Sequence, residues 1–274
     1  MPLMIDDDLR PPCALTIAGS DSGGGAGIQA DLKAFAAHGV HGLSAIAALT
    51  AQHTRGVTAV QVPDLGFLRA QIDACFGDFR IPAVKLGMLA NARVIHAVAD
   101  ALEHYRPEHV VLDPVMIATS GARLLEADAL EAMRTRLMPL ASLVTPNLPE
   151  AELLLGHAIP DLDAMHAAAI ELRSAGVAAV LLKGGHLEDG GSEVPDLLAG
   201  DGTVEVIRHP RLDLESHGTG CTLASAVAAN LALGKPLRLA CIQASDYIHR
   251  ALLGGYRPGK GDVVVLDHFG AARN

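Results

Sequence analysis

The chain has 274 residues, half of them hydrophobic but only 3% aromatic and none of them Trp, and its formal net charge is −10. That length suits one large α/β domain or two small ones with an aliphatic core, and the acidic balance argues against non-specific binding to nucleic acid or to an anionic membrane. No apolar run approaches the roughly 20 residues of a membrane span, and Cys13, Cys75, Cys221 and Cys241 show no metal-ligand or CxxC spacing, which fits free thiols in a reducing cytoplasm.

Residues 1–12, with three consecutive Asp and no apolar run, read as a tail and not as a secretory signal. The apolar run 13–18, bounded by Pro12 and Gly19, predicts a first buried strand. A Gly-rich loop follows to Gly27, then a helix to His38 with apolar residues at helical spacing, stopped by Gly39. Strands are predicted at 43–49 and 57–62, and a helix from Asp64 as N-cap to 76. A strand at 83–86 leads to a helix capped by Asn91 and ending near 105. A strand at 110–112 ends in Asp113-Pro114, and a helix covers about 128–137. The short strand 143–144 runs into Thr145-Pro146-Asn147, with a helix starting near Glu150. Then come a helix at 162–175, a strand at 178–182 ending at Lys183, and two short strands near 195–198 and 204–207 that suggest a hairpin. A helix at 237–253 and a strand at 263–266 close the chain.

The segment 216–234 reads SHGTGCTLASAVAANLALG: small polar residues opening into an apolar helix. Gly218 and Gly220 allow a tight turn, and unpaired N–H groups at a helix start bind anions. Cys221 sits there, where a thiol pKa is expected to fall. A plain helix start with a buried Cys is the competing reading.

Two nucleotide motifs fail. Gly25-x-Gly27-x-x-Ala30 lacks the acidic residue about 20 positions on that a dinucleotide ribose needs. Residues 254–261, GGYRPGKG, end in Gly where a Walker loop has Ser or Thr, and they lie between a helix and a strand in the wrong order. The 13 His show no metal-ligand spacing.

Continuous apolar strands alternating with helices predict a mainly parallel sheet covered on both faces, in one domain over 13–274. Ligands of such sheets bind at the strand C-terminal ends. Asp31 just after the first loop, Gln52, Lys85, Met88, Asp113, Asn147, Glu150, Lys183 and Cys221 all fall there. A helix-start cradle, two carboxylates able to hold Mg²⁺ (Asp113 and Glu150) and a Lys to offset phosphate charge suit phosphoryl transfer.

The motifs GSDSGGGAGIQADLK, LTAQHT, VKLGMLAN, VLDPVM, TPNLPEAE, LLKGGH and HGTGCT, in this order, resemble the hydroxymethylpyrimidine/phosphomethylpyrimidine kinases of thiamine biosynthesis, in the ribokinase-like superfamily. The resemblance implies a three-layer αβα sandwich. It also implies ATP-dependent phosphorylation of the hydroxymethylpyrimidine and then of its monophosphate, with Mg²⁺, in a cytoplasmic homodimer. By position it implies a pyrimidine pocket of Gly19, Asp31, Gln52 and Met88, and an anion hole of Gly218, Thr219 and Gly220 with Cys221 as base. Asp113, Asn147 and Glu150 match the Mg²⁺/phosphate region, and Lys183 a phosphate contact. Thr119 departs from the pattern, standing where many relatives carry Lys. A vitamin B6 kinase and a non-catalytic pyrimidine sensor are the rival readings; the LTAQHT segment and Met88 favour the thiamine branch, and the intact phosphoryl-transfer set speaks against a sensor.

Overall fold

The first strand, β1 (Cys13–Gly19), is buried at every position because it lies inside the sheet with a helix layer on each side. The computed structural model describes residues 10–116, 127–187 and 191–272. After β1 come α1 (Gly27–Ala37), β2 (His41–His53), β3 (Gly56–Gln61), α2 (Leu65–Asp78), β4 (Ala83–Leu86), α3 (Ala92–Tyr105) and β5 (His109–Leu112). The chain continues through α4 (Ala127–Ala132), β6 (Leu143–Val144), α5 (Leu148–Leu155), α6 (Leu162–Ser174), β7 (Val180–Leu182), β8 (Glu193–Gly200) and β9 (Thr203–Pro210). It ends with β10 (Ser216–His217), α7 (Thr219–Ala232), α8 (Leu237–Leu253) and β11 (Val264–Val265). Thr119 and residues 1–9 lie outside the described residues.

Among the described residues, nine strands form one sheet in the order β3-β2-β1-β4-β5-β6-β7-β8-β9. Neighbours from β2 to β7 are parallel, and the β2/β3, β7/β8 and β8/β9 pairs are antiparallel. Side chains alternate across a strand, so each central strand feeds two cores. Leu15, Ile17, Val84, Leu86 and Leu112 pack with the helices α2 to α6. Ala14, Ala83, Val111 and Leu181 pack with α1, α7 and α8. This is the three-layer αβα arrangement expected.

Several local expectations hold for physical reasons. Asp64 accepts from the Gly66 and Phe67 N–H groups and starts α2, and Asn91 accepts from Val94 N–H and starts α3. Three details differ. Strand β2 runs past Leu49 to His53, because residues 49–53 leave the sheet as an antiparallel ribbon with β3, where exposure alternates and the apolar signal fades. The helix expected to reach 137 stays α-helical only to Ala132, then widens to a π turn and tightens to a 3₁₀ turn holding Pro139. Pro139 has no N–H to continue the α-helical ladder. The last strand, β11, pairs with β10 beside the start of α7 instead of joining the large sheet. Among the described residues, no helix is long and apolar enough to cross a membrane.

One buried ion pair ties the helix layer to the sheet. Lys85 Nζ on β4 donates to both carboxylate oxygens of Asp31 on α1, at 2.9 and 3.0 Å, with both side chains fully buried. The same carboxylate accepts from Thr16 Oγ1 of β1 at 2.6 Å and from Ser225 Oγ of α7 at 2.7 Å. Burial alone would lower the Lys85 pKa; the facing Asp31 carboxylate outweighs it and holds the ammonium charged. Removing one partner leaves an uncompensated buried charge, so Lys85→Met should cost about 3–5 kcal/mol in urea unfolding, and adding Asp31→Leu should recover much of it. A single-variant loss below about 1 kcal/mol would mean the pair is not a fixed point of the fold.

Candidate active site

The start of α7 is built by Gly218, whose φ of 85° is left-handed and unfavourable for other residues. A Cβ there would also overlap the carbonyl oxygen of Gly25, so the Gly-rich loop after β1 packs directly on this turn. The first helical bond of α7 is from Thr222 N–H to Gly218 O, at 2.9 Å. The N–H groups of Thr219, Gly220 and Cys221 therefore precede the ladder, and Gly218 brings no side chain to cap them. They stand at the positive end of a helix that is buried along most of its length.

These groups face a cavity of about 780 Å³ that Gly218, Thr219, Gly220 and Cys221 help to line. The expected charged set converges on the same point. A Cβ on Gly220 would lie 3.0 Å from Lys183 Nζ and 3.6 Å from both carboxylate oxygens of Asp113. Lys183 Nζ is 3.2 Å from Asp113 Oδ1 and 3.9 Å from Glu150 Oε2, and both carboxylates are buried. Asn147 and Glu150 also line the cavity, and they cap α5 reciprocally: Asn147 N–H donates to Glu150 Oε2 at 2.8 Å, and Glu150 N–H to Asn147 Oδ1 at 2.9 Å. This capping box fixes where the Glu150 carboxylate points. Burial pushes that carboxyl up, with Asp113 adding to the rise and Lys183 opposing it.

The donor set fits Mg²⁺ held jointly with phosphate. Two hard carboxylates meet at one cation, Lys183, and among the described residues no cluster of three or more His, Cys, Asp or Glu could hold a metal alone. Mg²⁺ commonly uses one or two carboxylates, water and substrate phosphates.

The other expected residues separate. Gly19, Gln52 and Met88 line the cavity beside Ser20 and Asp21. Asp31 does not: it is fully buried on the Lys85 ammonium and the Thr16 and Ser225 hydroxyls. The expectation that Asp31 lines the pyrimidine pocket is corrected on that ground, because every contact of its carboxylate is to the protein interior.

Two cavity residues were not singled out from the sequence. Asp21 accepts from the N–H groups of Gly23, Gly25 and Ala26, and His217 Nε2 lies 3.2 Å from its Oδ2. Their neighbours Gly19 and Gly218 were expected site residues, which was the available signal. Lys85, expected at this sheet edge, lines the cavity too, but its ammonium is spent on the buried Asp31. The far end of the cavity is bounded by Leu212, Ile248 and Leu252 and by His209 and His249, whose rings stack with centroids 5.5 Å apart. His209 Nε2 and Ser245 Oγ are buried there without a hydrogen-bond partner, as suits a wall waiting for polar ligand atoms.

The sequence profile described as Phosphomethylpyrimidine kinase matches residues 21–266. A Rhizobium meliloti hydroxymethylpyrimidine/phosphomethylpyrimidine kinase is 48% identical over 256 residues, 91% of this chain and 95% of that protein. The crystal structure of a phosphomethylpyrimidine kinase from Clostridium difficile is 43% identical with a TM-score of 0.77, covering 86% of this chain and 97% of that one. The ADP complex of Bacillus subtilis pyridoxal kinase is 32% identical with a TM-score of 0.88, covering 97% and 100%.

The thiol departs from expectation. Burial pushes Cys221 up to about 12, against the lowering effects of the Lys85 ammonium and a hydrogen bond from Gly27 N–H, while Asp113 and Asp31 raise it further. The helix start is real, but desolvation of the thiolate outweighs it. Iodoacetamide labelling of Cys221 should therefore stay slow from about pH 6 to pH 9, rising with pH throughout, as for a thiol that is neutral over this range. A fast rate that is flat over that range would mean a low-pKa thiolate.

Proposed function

The chain belongs to the phosphomethylpyrimidine kinase family, and from that premise we propose that it transfers the γ-phosphoryl group of ATP to the hydroxymethylpyrimidine of thiamine biosynthesis and then to its monophosphate. The observation that carries this reading is the meeting of the α7 start with Lys183 and Asp113, in one cavity that Gln52 and Met88 also line.

The roles follow from the chemistry at each place. The acceptor pyrimidine binds beside Gly19, Gln52 and Met88, with Gln52 able to donate or accept toward the aminopyrimidine edge. The nucleotide base occupies the far end near His209, Ser245 and His249, where the buried His209 Nε2 (3.8 Å from Asp246 Oδ1) and Ser245 Oγ lack hydrogen-bond partners and support that assignment. ATP then lies along the cavity with its terminal phosphate toward Lys183, which offsets its charge. The N–H groups of Thr219, Gly220 and Cys221 hold the oxygens of the moving phosphoryl group, where charge must be stabilised. Asp113 and Glu150 would hold Mg²⁺, which when bound neutralises phosphate charge. A loose transition state asks more of this positioning than of the nucleophile. Cys221 is placed to take the acceptor proton but must first lose its own, which burial opposes, so the cradle carries the larger share. We further propose residues 13–274 as one catalytic unit, working as a cytoplasmic homodimer, on the strength of the family resemblance.

The likeness to pyridoxal kinase in overall shape supports pyridoxal as a second acceptor to test. ADP release should be fastest with the hydroxymethylpyrimidine or its monophosphate. Fastest release with pyridoxal would favour a vitamin B6 kinase, and none with any acceptor would favour a sensor. In Cys221→Ala, kcat should fall about 10- to 100-fold, with the acceptor KM held within about twofold. Unchanged turnover would remove the thiol from the chemistry. Cys221→Asp, which keeps a proton acceptor at this place, should retain more activity than Cys221→Ala.

A further inference from the structure

The acceptor end of the cavity contains a short polar chain whose hydrogens can be assigned one by one. Asp21 is buried, and its carboxylate accepts from Gly23 N–H at 2.8 Å, Gly25 N–H at 2.9 Å and Ala26 N–H at 2.8 Å. Burial opposes its ionisation, but the bonds from His217 and from the Ala26 and Gly23 N–H groups outweigh that and hold it below the usual carboxylate range. Asp21 is thus an anion, and His217 Nε2, 3.2 Å from Oδ2, must carry a hydrogen toward it.

That hydrogen fixes the next residue. The structure sets the Gln52 amide nitrogen 2.9 Å from the same Nε2 and the amide oxygen 3.1 Å from Thr50 Oγ1. An Nε2 that bears hydrogen cannot accept from an amide N–H, so the end facing it must be the amide oxygen. Glutamine oxygen and nitrogen have the same shape, and hydrogen bonding decides which is which. Exchanging the two ends of the amide puts its nitrogen at the place 3.1 Å from Thr50 Oγ1, whose own hydrogen goes to Ser20 O at 2.8 Å. In the opposite orientation, Thr50 would have one hydrogen for two acceptors, and Gln52 and His217 would meet donor to donor. Of the two, the exchanged arrangement is the one in which no donor faces a donor among these contacts. It spends the Gln52 oxygen and one N–H on the protein and leaves the second N–H in a side chain that lines the cavity.

We propose that the Asp21–His217 pair sets the side-chain amide of Gln52 as a hydrogen-bond donor to a ring nitrogen of the acceptor, making Asp21 and His217 positioning residues for substrate specificity. The proposal rests on the acceptor assignment above. It also accounts for the packing of the two loops: a Cβ on Gly25 would lie 2.9 Å from His217 Cδ2, so the Gly-rich loop holds the imidazole against Asp21.

Calorimetry separates this role from a merely structural one. The wild type, His217→Ala and His217→Gln would each be titrated with the hydroxymethylpyrimidine, with deaza analogues carrying C–H in place of each ring nitrogen in turn, and with ADP. The wild type should bind one deaza analogue roughly tenfold more weakly than the parent. His217→Ala should bind the parent roughly tenfold more weakly and lose that discrimination. His217→Gln, which keeps a donating N–H toward Asp21 and Gln52, should recover most of it, and Kd for ADP should stay within about twofold in all three. Discrimination by His217→Ala equal to the wild type, a matching loss of ADP binding, no rescue by His217→Gln, or no binding of the pyrimidine by the wild type would overturn the proposal. Pyrimidine binding with intact discrimination but no turnover would sink the kinase reading alone.

Discussion

The structure depends first on the buried contact between Asp31 and Lys85. Taking two ions out of water costs several kcal/mol for each, and their attraction alone does not reliably repay that. Here the carboxylate also receives the hydroxyls of Thr16 and Ser225, so the charges are both paired and hydrogen-bonded. The four residues come from β1, α1, β4 and α7. Ser225 stands one helical turn beyond Cys221, so this contact fixes the depth and rotation of the helix whose first N–H groups form the candidate anion hole. Hydrophobic packing has little directional preference and would leave α7, rich in Ala and buried almost all round, freer to slide.

A second constraint is steric. The left-handed turn at Gly218 packs against the Gly25 carbonyl with no room for a Cβ, so the loop after β1 and the start of α7 are packed directly together. The proposed acceptor and phosphoryl ends of the cavity are thereby held at a fixed distance. Transfer between two bound substrates gains most from such preorganisation, since a loose transition state makes few covalent demands on the protein.

Much of this was legible in the sequence. Strand runs such as 13–18 and 83–86, the caps Asp64 and Asn91, and the Gly-Thr-Gly-Cys turn carry their signals locally, because apolar runs, capping oxygens and glycines act through near neighbours. The convergence of Asp113, Glu150, Lys183 and the α7 start on one cavity followed from their places at strand ends. What failed was decided at a distance. Asp31 occupies a motif position, but its direction depends on Lys85, 54 residues away. The Cys221 thiol was expected to ionise readily at a helix start, yet desolvation in its half-buried place on the cavity wall pushes its pKa up. Asp21 and His217 are 196 residues apart and become partners only when the two loops pack. The extension of β2 and the pairing of β11 with β10 likewise rest on partners that a local pattern does not reveal.

The central claim is that the start of α7 holds the phosphoryl group in flight. A crystal structure with ADP, aluminium fluoride, Mg²⁺ and the hydroxymethylpyrimidine tests it most directly. The expected result places the fluoride group on the N–H groups of Thr219, Gly220 and Cys221, between the nucleotide and an acceptor hydroxyl, with Lys183 and Asp113 alongside. A fluoride group seated on the loop of Gly23 to Gly25, or anywhere out of reach of those three N–H groups, would contradict it.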